Sequence, residues 1–377
     1  MGSNKTGRNG RGESNVKQTL KKHIPSGLLM AALAVLALAV ACTSAASEPD
    51  ADAPDGAAPN QHAIPATATM IGRVDLAAIL ADDAVADLLG ALPSDGETPS
   101  SLEDALAMVQ GETGIDPAQV TDIVLFATGS DEDGLGLILS GTLVLDELVA
   151  AVEGAQGKTA TVEDVFGTDV YTFAPGASGE DDDFSLAALS DGRVVAGGTG
   201  AVRASVTVDA GEAQAVSGEL VDRLDALGTP WLSLVADVTA SDVGKLMGPD
   251  GMLGDDGPLG AFGGELPIDL SAFADVRTLS LALDRAGNDF IANAEIGFGT
   301  ADGATRAAAM IDGFTSLFKA FVPDPTLLSF LDGLDVAATG ADLSVDFTIA
   351  TGEATKLVGN LLNIASQEIE FSLPDFQ

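Results

Sequence analysis

The sequence predicts an α+β fold in two tandem, internally duplicated units, each a mainly antiparallel sheet with helices on one face. Three observations carry that expectation. Apolar runs of strand length meet in pairs across Gly- and Asp-rich turns. Stretches with apolar residues at helical spacing separate those pairs. A spaced pattern in the first half also recurs in the second: Ile115-Asp116, Val120, Asp122 and Ile123 return as Ile268-Asp269, Phe273, Asp275 and Val276, each 153 residues on. Flanking residues agree, with Val74-Asp75-Leu76 answered by Ala236-Asp237-Val238, and the helix end AAVEG at Ala150–Gly154 by AAMIDG at Ala308–Gly313. A shared period of this kind is the mark of an internal repeat.

In chain order, Thr69 to Val74 reads as a short strand, and Asp75 as the N-cap of a helix from Leu76 to Leu89. Pro93 to Pro99 is a loop, and Ser100 or Ser101 caps a helix whose Leu102, Ala105, Leu106 and Val109 share a face. Val120 to Ala127 and Leu135 to Gly141 form a hairpin around Asp131–Gly134. Leu145 to Glu153 is a helix stopped by Gly154. Two further hairpin-like pairs span Thr161 to Ala174 and Phe184 to Ala196, turning at Gly167 and at Asp191-Gly192. Helices at Ala201–Val208 and Ser217–Leu227 close the first unit, residues 66–228.

The second unit, residues 229–366, begins with a strand from Trp231 to Val238 and a short helix from Ser241 to Met247. A Gly- and Asp-rich loop follows, Gly248 to Gly264, then a hairpin from Arg277–Asp284 and Phe290–Phe298. Asp302 to Phe321 is a helix, Leu334–Thr339 and Leu343–Ala350 pair around Gly340, and Glu353 to Ile364 is the last helix. Residues 367–377 are a tail.

Ahead of both units stands an export segment. Lys5, Arg8, Arg11, Lys17, Lys21 and Lys22 face a single acid, Glu13, and thirteen apolar residues follow from Leu28 to Val40. Charged leader, short apolar run and small-residue exit are the parts of a secretory signal peptide. As a helix this run reaches only about 20 Å, short of the roughly 30 Å hydrocarbon core, so cleavage is expected rather than a permanent span. Its exit, Ala39-Val40-Ala41-Cys42, resembles the lipobox of bacterial membrane lipoproteins. The resemblance implies removal of residues 1–41 and acylation of Cys42, which fastens the chain to the bilayer outside the cytoplasm. Each buried CH₂ of an acyl chain contributes about 0.8 kcal/mol, and two chains anchor where one is marginal. Residues 42–65, acidic and rich in Pro and Ala, read as a tether between the anchor and the folded units. Asp50, Asp52 and Asp55 lack calcium-loop spacing, because Pro54 stands where a ligand is needed.

Composition then removes whole classes of function. After Cys42 there are 11 Lys and Arg against 56 Asp and Glu, a formal charge of −45. Such a chain repels nucleic acid, whose binding requires clustered cations, and it suits a saline medium that screens its self-repulsion. Its two histidines, His23 and His62, lie in the leader and the tether, and Cys42 is its one cysteine. The folded units therefore hold no Ser-His-Asp or Cys-His nucleophile system and no His- or Cys-ligated metal. The acidic stretches Glu180–Asp183 and Asp250–Asp256 read as solvated loops rather than calcium sites. Gly197, Gly198, Thr199 and Gly200 suggest a dinucleotide turn, but Arg203 stands where the third small residue belongs, so a tight strand-to-helix turn is the better reading. Sugar sites usually present aromatic platforms; the units offer Trp231 and Tyr171 besides Phe. Phe314, Leu317, Phe318 and Phe321 form an apolar helical stripe, read as core-facing.

The expected function is accordingly non-catalytic, with no cofactor and no metal: a lipid-anchored envelope protein that binds a partner. The alternative is a carrier holding a lipid or other apolar ligand between sheet and helices.

Overall fold

Strands form almost where the alternation puts them, and they join differently from expectation. The computed structural model describes residues 62–90, 101–113, 115–129, 134–174, 183–238, 273, 275–321, 325–354 and 356. The first half supplies β1 (Met70–Asp75), β2 (Val120–Ala127), β3 (Leu135–Gly141), β4 (Thr161–Val165), β5 (Thr168–Phe173), β6 (Phe184–Ala188) and β7 (Val194–Gly198). The second supplies β8 (Leu232–Asp237), β9 (Val276–Ala286), β10 (Asp289–Phe298), β11 (Asp335–Thr339) and β12 (Asp342–Ala350). Among the described residues these twelve strands make one sheet, ordered β11-β12-β10-β9-β8-β1-β2-β3-β7-β6-β5-β4, with every ladder antiparallel. The α+β class and the large antiparallel sheet are thus as the sequence predicts. The halves do not each close a sheet of their own: β1 pairs with β8, from Met70 opposite Ala236 to Val74 opposite Leu232. One hydrogen-bonded surface runs through the junction.

The helices are α1 (Leu76–Ala81), α2 (Asp83–Gly90), α3 (Leu102–Thr113), α4 (Leu145–Gln156), α5 (Thr199–Asp209), α6 (Glu219–Ala226), α7 (Ala301–Phe321) and α8 (Pro325–Asp332). In the first half they cover both sheet faces, not one. Successive residues of a strand point to opposite faces. Val124 and Phe126 of β2 pack with Val202 and Val206 of α5 and Leu220 and Leu224 of α6. Their neighbour Leu125 packs with Leu148, Val149 and Val152 of α4 on the other side. The second half keeps the expected one-sided plan: Ala304 and Ala307 of α7 cover Leu343 and Phe298 on the α4 side. On the opposite face β9, β10 and β12 present Thr278, Ser280, Asn293, Glu295, Asp342, Ser344 and Asp346, which the pairing registers put in adjacent rows.

Two element boundaries differ for physical reasons. The expected helix Leu76–Leu89 is split at Asp82, which is extended (φ −95°, ψ 119°). Asp75 caps α1 as expected, accepting from Ala78 N at 2.8 Å. Asp82 then caps α2, accepting from Ala84 N at 2.8 Å, while its carboxylate also pairs with Arg285. Ala63 and Ile64, assigned to the tether by composition, are fully buried. Ser205 of α5 donates to Ala63 O at 2.6 Å, and Val216 N donates to Ile64 O at 2.8 Å, so the chain is docked from this point on. The expected helix Ser241–Met247, the Gly248–Gly264 loop and nearly all of the last helix, Glu353–Ile364, lie outside the described residues.

Candidate functional site

Two polar places on the sheet each hold a half-buried arginine, apart from Arg193, which is buried beside Asp191 at the turn between β6 and β7. The first is the junction of the halves. Arg223 projects from α6, where it pairs with Glu219 one turn earlier at 3.0 Å. Its other guanidinium nitrogens reach Glu295 of β10 at 2.5 Å and Asp342 of β12 at 3.2 Å. Burial alone would make this arginine easier to deprotonate; the hydrogen bonds it donates to Glu219 and Asp342 and the nearby charge of Glu295 outweigh it, so the cation is held more firmly. Asp237, ending β8 beside this group, is pushed up by partial burial and by Glu219, against the pull of Arg223. Beneath lie the buried hydroxyls of Ser233, Thr278 and Ser280, which have no protein hydrogen-bond partner. This cluster ties α6 of the first half to β10 and β12 of the second.

The second place is a cleft of about 500 Å³ where β9, β10 and β12 end. Asp83 and Ala84, opening α2, form one wall. Arg285 and Asn288 form the second, at a hairpin whose two loop residues begin with Gly287 at φ +62°, the Gly-first pattern of a tight two-residue turn. Ala350, Thr351 and Gly352 form the third, and Thr351 is hooked to the hairpin because its N and Oγ1 both donate to Asn288 O, at 3.0 and 2.8 Å. Arg285 is half-sunk among these walls. Its Nη1 pairs with Asp82, its guanidinium lies 5.8 Å from the centroid of Phe290, and Trp231 meets Phe290 edge-on at 6.0 Å. Its Nε is buried with no acceptor. Next to it, burial pushes the Asp284 carboxyl up and the charge of Asp75 adds to this, while the backbone N–H groups of Arg285 and Trp231 pull it down.

The residues singled out by sequence fall as follows. Cys42, the expected lipidation site, lies outside the described residues, as do Asp50, Asp52, Asp55 and the acidic stretches except Asp183. Among the described residues no group of three His, Cys, Asp or Glu converges to hold a metal, and no helix is long and apolar enough to cross a membrane. The Gly197–Gly200 turn leads from β7 into α5. Gly197 has φ +139°, and a Cβ there would lie 2.4 Å from Leu135 O, so close approach of β3 explains the glycine. Arg203, one turn into α5, pairs with Glu163.

The Phe314–Phe321 stripe is not wholly core-facing. Phe314 and Phe318 stack at 4.9 Å, yet Phe314 is 37% exposed and Leu317 45%. The second half of α7 meets α8, where Lys319 pairs with Asp332 at 2.8 Å. Sequence reading missed both arginine sites. The available signal was scarcity: with so few cations in so acidic a chain, an arginine inside a strand or an amphipathic helix needs acidic partners.

No family model matches the chain, and no curated protein matches it. Solved structures of a protein named TP0453 are similar at low identity. Crystal form III matches with a TM-score of 0.46 at 11% identity, over 80% of this chain and 97% of that one. Crystal form I matches with a TM-score of 0.44 at 11% identity, over 83% and 99%.

Proposed function

We propose that the chain is an extracytoplasmic protein held to a membrane by acyl groups on Cys42, and that its body binds a ligand or partner without turning it over. The observation that carries the anchor is the leader with its lipobox-like exit, followed by a chain that enters the fold at Ala63. Residues 43–61 between them span at most about 70 Å at ~3.5 Å per residue, enough to let the body stand clear of headgroups that its charge repels.

The non-catalytic reading rests on side-chain chemistry. The body lacks the imidazole and thiol groups that most nucleophilic mechanisms use. Its most converged charges, around Arg223, are tied up in joining α6 to β10 and β12. Binding is favoured over carriage of an apolar ligand because chain side chains occupy the space between sheet and helices: Phe126, Ile138 and Val170 lie fully buried beneath α5 and α6, and Leu186 fully buried on the α4 side.

The test compares intact mass and membrane partitioning of the wild type with Cys42→Ala. The expected wild-type product begins at Cys42, carries added acyl mass and sediments with membrane. The variant is expected to lose the acyl mass and appear in the soluble fraction. A wild-type chain that retains residues 1–41 and an unmodified thiol overturns the anchor.

A further inference from the structure

We propose that the sheet edge formed by β11 pairs with β11 of a second copy of the chain, so that two bodies join across a twofold axis through one continuous sheet. This goes beyond the anchored reading and stands whether or not Cys42 is acylated. The register of the β11–β12 hairpin fixes what the edge offers. Gly340, at φ +63°, opens a two-residue turn with Ala341, and such a turn closes on a hydrogen-bonded pair, here Thr339 and Asp342. Hydrogen-bonded pairs alternate along an antiparallel ladder. Asp335, Ala337 and Thr339 therefore bond to β12, and the N–H and C=O groups of Val336 and Ala338 point away from it. Among the described residues no strand lies on that side, and Asp335, Ala337, Ala338 and Thr339 are exposed. The rest of this edge is shielded, because the chain ahead of β11 lies against β12: a Cβ on Gly333 would stand 3.5 Å from Thr348 O. An antiparallel pair centred on Ala337 sets each Val336 opposite Ala338 of the other copy. That one register satisfies every outward N–H and C=O of both strands.

Charge separates this edge from the other one. β4 carries Glu163 and Asp164 in the middle of its five residues, and pairing it with itself about its centre sets Glu163 against Glu163. Like charges directly opposite are destabilising, and acids so placed guard an edge against self-association. β11 has a single acid, Asp335, at its end, and pairing about Ala337 sets it opposite Thr339. No Lys, Pro or bulge guards this strand. The helix above leaves room for a second copy. Lys319, which pairs with Asp332 just ahead of β11, marks the flank of α7 on the edge side. Thr305 and Asp312 continue the line of Lys319 at seven-residue spacing, with Ala309 and Ser316 beside them, so this flank is made of short side chains. Each copy carries −45 beyond Cys42, so general repulsion opposes the pair and salt strengthens it.

The experiment uses the full-length chain carrying Cys42→Ala, so that neither acyl groups nor a native thiol contributes to association. Sedimentation equilibrium is measured at up to about 0.1 mM protein, in about 0.1 M and about 1 M sodium chloride. A monomer–dimer equilibrium that tightens with salt is expected. Ala338→Pro removes an outward N–H and leaves the ladder to β12 whole, a position where an edge strand tolerates proline. It should abolish the dimer, with the melting temperature as the check on folding. Thr339→Asp faces Asp335 of the other copy and should weaken the dimer about threefold or more, whereas Thr339→Lys should tighten it by a similar factor. A fault in folding would not reverse with the sign of the charge. Ala337→Cys lies on the axis, in a non-hydrogen-bonded pair about 4.5 Å from its copy, and should oxidise to a covalent dimer; Val162→Cys on β4 should not. A chain that stays monomeric at the highest concentration in both salts overturns the inference, as does a dimer indifferent to Ala338→Pro and both Thr339 substitutions. Growth past the dimer overturns it too, since it means that β11 pairs with β4 head to tail in an open row of copies. Acyl mass and membrane partitioning enter none of these readouts, so the anchor and the dimer fail separately.

Discussion

Asp284 shows how a single side chain records the packing around it. Burial disfavours its charged form, and Asp75 nearby adds to that, so its folded-state pKa stands above the ordinary carboxylate value. The folded protein then holds the proton more tightly than the unfolded chain. Its contribution to stability is therefore fully present below the unfolded value, near pH 4, and is lost as pH rises through the folded value. Asp191 runs the other way: its hydrogen bond and ion pair to Arg193, at 2.6 Å, hold its carboxyl low. That contribution is present above the unfolded value and is lost as pH falls through the folded one. Asp284→Asn keeps an oxygen for the backbone N–H groups of Arg285 and Trp231 and removes the buried charge. The expected result is a melting temperature above wild type at pH 7, with the gain shrinking toward pH 4. A gain that does not change with pH would place the effect in packing rather than charge. None of this was legible beforehand, because Asp284 looks in sequence like any other acid in a chain with 57 of them.

At the scale of elements, the hairpins and strands were legible and the break in the first helix was not. The turn at Asp131–Gly134 and the flanking apolar runs announce β2 and β3, which form with the boundaries the pattern gives. Leu76 to Leu89 keeps helical spacing through Asp82, and only the partnership with Arg285, some 200 residues on, explains why the chain bends there. The burial of β2 on both faces has a signal in the sequence: Ile123 to Ala127 is continuously apolar rather than alternating, as strands covered on both sides are. The β4–β5 hairpin offers a direct test of local chemistry. Its two turn residues, Phe166 and Gly167, have φ +53° and +87°, and Phe166 is 60% exposed. A turn with both central residues at positive φ favours Asn-Gly, and a bulky side chain there is strained by about 1 kcal/mol. Phe166→Asn should therefore stabilise the protein by up to about 1 kcal/mol, read as a higher denaturant midpoint with unchanged slope. A loss of stability would mean that the exposed ring makes a contact worth more than the strain.

At the scale of the whole molecule, one sheet carries the charge of an unusually acidic chain, and its organisation decides how salt acts. The repeated sequence pattern pointed to two bodies; β1 and β8 instead fuse the halves edge to edge, and Ile71 of β1 shares its core with Val235 of β8. Pairing between strands this far apart in sequence is settled by registers that a residue pattern does not reveal. The fused sheet leaves Glu295, Asp342 and Asp346 on one face of adjacent strands, with Asn293 hydrogen-bonded to Asp346 at 2.7 Å and Arg223 bridging the other two. Salt weakens the attraction at Arg223 and the repulsion among the acids alike. Repulsion should win, because 56 acids face 11 bases and partly exposed pairs are each worth only about 0–1 kcal/mol. The screening length shrinks from about 30 Å in 10 mM salt to about 3 Å in 1 M, so long-range repulsion in the folded state is removed across that range. The melting temperature should therefore rise steadily from about 10 mM to about 1 M sodium chloride. Arg223→Gln should steepen that rise, since it exposes Glu295 and Asp342 to one another. A melting temperature that falls with salt would mean that the few ion pairs, and Arg223 above all, outweigh the general repulsion and hold the two halves together.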